Sequence, residues 1–156
     1  MIKNKRRLFL KTAMAGSSVG VAVAAGLLTP TAVLAEWNKS AFTAKKVPDA
    51  ISALYGSGNA AESAEIMITA PDVAENGAVV PVDIKTTLKD VENISLLVSE
   101  NASPLAASFD TTAAIKGEVS IRVKVGKSGD LIATVKSGGK LYTAKRPVKV
   151  TTGGCG

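Results

Sequence analysis

The sequence predicts a mainly β chain built as an antiparallel sandwich, and three observations carry that expectation. Short runs with a period of two recur along the second two thirds of the chain, turn residues break them every ten or so positions, and only one segment has a helical period. Seven short strands at that spacing favour the immunoglobulin-like type of sandwich, with an N-terminal helix before it and a flexible C-terminal tail after it.

The helical segment covers residues 36–58. Val47, Ile51, Leu54 and Tyr55 fall on one stripe, Pro48 and Asp49 suit a first turn, and Gly56 to Gly58 suit the end. The stripe is expected to pack on the domain. Strands follow at 64–70, 78–88, 91–100, 105–109, 119–125, 131–136 and 140–150. Pro71-Asp72-Val73-Ala74-Glu75-Asn76-Gly77 reads as a loop, and Pro81 marks the second run as an edge or bulged strand. Val119, Ile121, Val123 and Val125 alternate with Ser120, Arg122 and Lys124, the clearest half-buried pattern in the chain. Such a sandwich is a platform, so function has to be sought at its loops and ends.

Charge divides unevenly. The net charge of +6 includes Lys3, Lys5, Arg6, Arg7 and Lys11, and no acid precedes Glu36. From Glu36 onward 14 cations face 13 acids, so the basic balance belongs to the leader. Three Phe, one Trp and two Tyr do not interleave with arginines as base stacking requires, which argues against nucleic acid. Histidine is absent and cysteine occurs once. Histidine-based general bases, Ser-His-Asp or Cys-His arrangements and the familiar His/Cys metal sites are thereby excluded.

Residues 1–35 read as a signal peptide. Arg6 and Arg7 precede Leu8-Phe9-Leu10-Lys11 in the manner of a twin-arginine export signal, a weakly apolar stretch runs from Thr12 to Leu28, and Val33-Leu34-Ala35 places cleavage after Ala35. Gly16, Gly20, Gly26, Ser17 and Ser18 make that stretch a poor membrane anchor. The expected domain then covers 36–150 and works in the periplasm, where thiols ordinarily pair. A single cysteine cannot pair within its own chain.

That cysteine lies in the tail, 151–156. Cys155 is flanked by Gly153, Gly154 and Gly156, and nothing after Val150 has the bulk to be buried. Five residues past Val150 carry the sulfur about 16 to 18 Å from the fold when extended. A free cysteine titrates at about 8.5, and with no histidine to draw off its proton this thiol does not activate itself. It is expected to be activated, loaded and unloaded inside partner enzymes. The competing reading is an exported structural or adhesive domain tied to a partner through a Cys155 disulfide.

The leader, the small β domain and the ending Val-Lys-Val-Thr-Thr-Gly-Gly-Cys-Gly together resemble the SoxY family, carriers of the periplasmic Sox thiosulfate-oxidation system. Ala70-Pro71, Glu75-Asn76-Gly77, Val80-Pro81-Val82 and the segment from Asn101 to Pro104 add to the likeness. One glycine follows the cysteine where the family usually has two, and Asn101 is not followed directly by proline. The resemblance implies that Cys155 attaches sulfur intermediates covalently. A haem-containing enzyme joins thiosulfate to it as a cysteine S-thiosulfonate, a hydrolase releases sulfate, and a sulfane dehydrogenase oxidises the sulfur that remains. It also implies a heterodimer with a SoxZ-like subunit and a carrier that binds no metal or organic cofactor. On this account the chain is a substrate of enzymes, not an enzyme.

Overall fold

A computed structural model describes residues 38–112 and 117–151. Two short helices come first, α1 (Lys39–Thr43) and α2 (Val47–Tyr55). Nine strands follow: β1 (Ala61–Glu62), β2 (Ile66–Thr69), β3 (Val73–Ala74), β4 (Val80–Thr86), β5 (Val91–Val98), β6 (Leu105–Asp110), β7 (Glu118–Val123), β8 (Gly129–Ser137) and β9 (Lys140–Val150). The mainly β expectation holds, and each of the seven foreseen runs overlaps one of β2 and β4 to β9.

The strands form two sheets. The larger has the order β1-β9-β8-β5-β6, with β3 also on β9, and the smaller has the order β2-β4-β7. Alternation in β2 and β4 sends Ile66, Ile68, Val80, Val82 and Ile84 inward, where they meet Ile94, Leu96, Val98, Leu131, Ala133 and Val135 of the larger sheet. Burying these side chains is the main favourable term of the fold, at roughly 1.5–3 kcal/mol for each large one. The opposite pleat of β7 carries Glu118, Ser120 and Arg122 to the surface, as its sequence foretold.

A second apolar cluster covers the outer face of the larger sheet. Ala41, Ala50 and Ile51 from the helices pack on Leu97, Leu105 and Ile132. This explains why β5 is buried on both pleats from Asn93 to Val98, polar residues included: one face meets the small sheet and the other meets the helices. The polar side chains of β5 under α2 bond to their neighbours. The Tyr55 hydroxyl lies 2.6 Å from Asn93 Oδ1 and 2.7 Å from Ser95 Oγ, and Asn93 Nδ2 donates to Asp110 Oδ1 at 2.8 Å.

Three details depart from the sequence reading. The helical segment is broken at Ala44 to Lys46, because Pro48 has no N–H to return to the carbonyl of residue 44 in a continuous helix. Lys46 is therefore extended, and α2 starts anew with Pro48 in its first turn and ends on left-handed Gly56, as foreseen. β4 is the middle strand of its sheet, yet Pro81 does sit at a locally open edge. The ladder from β2 stops at Asp83, so only β7 flanks Pro81. Lastly, the segment read as a loop at 71–77 contains β3, and both β3 and β1 pair with β9 in parallel.

Candidate functional site

The tail has its root at the end of β9. Antiparallel pairing to β8 finishes at Gly129 opposite Val148. Beyond that point two other groups take over the edges of β9. On one side β3 runs parallel to it, with Val73 beside Lys149 and Ala74 beside Val150. Lys149 donates its N–H to the Asp72 carbonyl at 2.9 Å, and Thr151 donates to the Ala74 carbonyl at 3.2 Å. On the other side a side chain stands in for the departed strand: Val150 N–H donates to Ser128 Oγ at 2.9 Å.

The loop that carries β3 is held by close backbone approach. Val125 N–H donates to the Gly77 carbonyl at 2.7 Å. A Cβ at residue 77 would lie 2.5 Å from the Val125 oxygen and 2.8 Å from Val150 Cγ1, so glycine is required by space there. Asn76 closes the turn after Ala74 by accepting from Ala78 N–H at 2.9 Å. Asn101 ties down the neighbouring turn, donating to the Lys124 carbonyl at 2.8 Å and accepting from Gly126 N–H at 2.9 Å. Val73 and Val79 remain about half exposed on this end of the sandwich.

Two of the cations upstream of the tail are engaged with carboxylates. Arg146 holds Asp72 at 2.9 Å, and Lys145 faces Glu62 at 3.9 Å. Among the described residues no three Asp, Glu, His or Cys side chains gather as a metal site, and no helix is long and apolar enough to cross a membrane.

A cleft of about 670 Å³ opens at the opposite end of β9, lined by Tyr55, Tyr142, Lys136, Lys140 and residues 57–61. Two of its polar side chains, Tyr55 and Lys136, are engaged within the fold. Burial pushes the Tyr55 phenol up to about 12, so it stays neutral, and a hydrogen bond from Lys136 together with Gly139 N–H holds Glu92 below the usual carboxylate range. Eight residues of strand separate Tyr142 from Val150, about 27 Å. Four residues from Thr151 to Cys155 span at most about 13–14 Å, so a molecule's own thiol does not reach this cleft.

Cys155, Gly153, Gly154 and Gly156 lie outside the described residues, as do Arg6, Arg7 and Ala35. What sequence reasoning missed is the root: Ser128 falls in the gap between the runs at 119–125 and 131–136, and Val73-Ala74 reads only as loop. The apolar pair Val73-Ala74 four and three residues before Gly77 is the one signal that pointed there.

Architecture and root together define a class, a helix-backed β-sandwich whose last strand is led to the surface and handed to a glycine-rich ending. The family described as "Sulfur oxidation protein SoxY" matches residues 51–155. This chain belongs to the SoxY family. The solved sulfur carrier protein SoxY from Chlorobium limicola f. thiosulfatophilum is similar to it at 48% identity and a TM-score of 0.63, over 68% of this chain and 96% of that one. A superoxide reductase (neelaredoxin) from Ignicoccus hospitalis shares 19% identity over 55% of this chain and 79% of its own, with a TM-score of 0.49. No curated protein sequence matches the chain.

Proposed function

We propose that this chain is a periplasmic sulfur carrier of thiosulfate oxidation, loaded on Cys155 and serving as substrate for the enzymes that act on the bound sulfur. The observation that carries the reading is that the family match runs through the tail to Cys155 itself, while Thr151, the last described residue, is exposed four positions before it. Gly153, Gly154 and Gly156 leave only backbone around the sulfur, which suits entry into a narrow channel.

Loading joins the thiolate sulfur to the sulfane sulfur of thiosulfate. One S–S bond forms, the thiol proton leaves to water, and two electrons pass to a haem-containing partner, giving a cysteine S-thiosulfonate. Hydrolysis then breaks the bond between the two sulfurs of the thiosulfate unit. The oxygen of water goes to the departing sulfate and a persulfide stays on Cys155. A sulfane dehydrogenase takes six electrons from that outer sulfur while three water molecules supply its oxygens, giving a cysteine S-sulfonate, and a last hydrolysis releases a second sulfate and frees the thiol. The chain contributes the nucleophile, its reach and its point of emergence, while the partners contribute acid–base and redox groups that this sequence lacks. In the same proposal residues 1–35 are the export signal, with Arg6 and Arg7 read by the exporter and cleavage after Ala35, and the mature domain pairs with a SoxZ-like subunit.

Replacing Cys155 by Ser is the test. Cells carrying Cys155→Ser are expected to stop forming sulfate from thiosulfate while the purified variant melts at the wild-type temperature. Sulfate formation that persists in those cells contradicts the proposal, and reducible covalent dimers that form in place of sulfur adducts favour a disulfide-linked structural domain.

A further inference from the structure

The last described residues of the chain, at the end of β9, are held by bonds that do not come from an ordinary sheet. Between Val148, where β8 departs, and Thr151, the strand is held only by the two-residue β3 and by one hydroxyl, that of Ser128. Val150 also packs its side chain against the core and against Gly77, whose missing Cβ makes room for it. Such a short clip encloses little of the core, since Ser128 is exposed and β3 contributes Ala74 alone to it. What the clip does fix is Thr151, the residue that leads into the Gly-Gly-Cys-Gly ending.

We propose that Ser128 and the Asp72–Gly77 segment are positioning elements that set the length and origin of the carrier arm, holding its root at Thr151; this rests on the carrier reading of Cys155. With the clip closed, four residues separate the root from the sulfur, a reach of about 13–14 Å. With the clip open back to Val148, seven residues do, a reach of about 23–25 Å. A longer flexible tether dilutes the thiol at a docked active site. Local concentration falls with roughly the three-halves power of length, so going from four to seven residues lowers it about two-fold, before any loss of direction is counted. A fixed root thus serves delivery, because an enzyme docked on the end of the sandwich meets the sulfur at one distance.

Ser128→Ala removes the hydroxyl that holds Val150 N–H, and Ser128→Thr keeps it. Gly77→Ala is the stronger lesion, forcing a methyl against Val125 and Val150. Full-length mature protein, with its SoxZ-like partner, is loaded from thiosulfate by the haem-containing conjugating enzyme, and amide exchange is followed at Val150 and Thr151. In Ser128→Ala these amides are expected to exchange faster and kcat/KM for loading to fall about two- to three-fold, while the rate of alkylation by iodoacetamide is unchanged. Ser128→Thr restores both values. Three glycines inserted between Thr152 and Gly153 of the otherwise natural chain reproduce the loss in kcat/KM without touching exchange at Val150, which a merely structural role for Ser128 does not predict. Ser128→Ala that exchanges faster yet loads at the wild-type rate overturns the clip while leaving the carrier reading intact. A natural chain that takes up no sulfur at all overturns the carrier reading and the clip with it.

Discussion

The two ends of β9 are built to opposite purposes. Its first residues follow a hairpin turned by left-handed Gly138 and Gly139, run between β8 and β1, and lie near α2, where Leu141 joins the helix-covered cluster. Its last residues have lost β8 and rest on a two-residue strand and one serine. One strand therefore connects a helix-covered face of the sandwich to an end held by few bonds. The difference teaches that the fold is consolidated around α2, whereas two residues of β3 and one serine hydroxyl hold the last described residues before the Gly-Gly-Cys-Gly ending.

The sharpest way to break this comparison is to strip the covered end. Ile51→Ala empties a nearly buried site in the outer cluster and is expected to cost about 2–4 kcal/mol in denaturant unfolding, with no change in the loading of Cys155. If loading falls in parallel, the two ends are coupled and the contrast fails. Tyr55→Phe comes next, at about 1–2 kcal/mol, because Asn93 and Ser95 lose the hydroxyl between them.

The same residue makes a pH prediction. The phenol titrates at about 12 in the folded chain against 10.0 for an ordinary tyrosine, so the folded state holds the proton more tightly. Its contribution is complete below the unfolded value and is lost as pH rises from about 10 to about 12. Thermal melts across that window should decline in the natural chain, and that part of the decline should vanish in Tyr55→Phe. Ser128→Ala, at the other end, is expected to lower global stability by only about 0.5–1 kcal/mol, since one exposed hydrogen bond is lost. The smallest effect belongs to Glu92. Its carboxyl is held low by Lys136 and Gly139 N–H, so its contribution is present above the ordinary carboxylate range and fades as pH falls through its lowered value. Glu92→Gln should flatten only that shallow acid limb of the melting curve.

How much of this was legible in the sequence follows from the range of the interactions. β7 could be read from alternation alone, because one face meets the core and the other meets water. The end of α2 at Gly56 was equally plain, since a left-handed C-cap has a local chemical signature. β3 was not legible. Two residues carry no periodicity, and their partners, Lys149 and Val150, lie more than seventy positions away in a parallel pairing that no turn announces. Pro81 shows an intermediate case, in which proline correctly reported an open edge but could not say that the strand was otherwise central. The cysteine of the candidate site stood out by being single and glycine-flanked. Its root did not, because a serine in a turn looks the same whether or not it caps a strand across 22 positions of sequence.

The central claim is that sulfur is carried covalently on Cys155. Intact-mass spectrometry of mature protein taken from thiosulfate-grown cells, followed by mapping of the C-terminal peptide, tests it directly. A sulfur-containing adduct confined to the peptide that bears Cys155, and removed by a thiol reductant, is the predicted result. A free thiol throughout thiosulfate oxidation contradicts it.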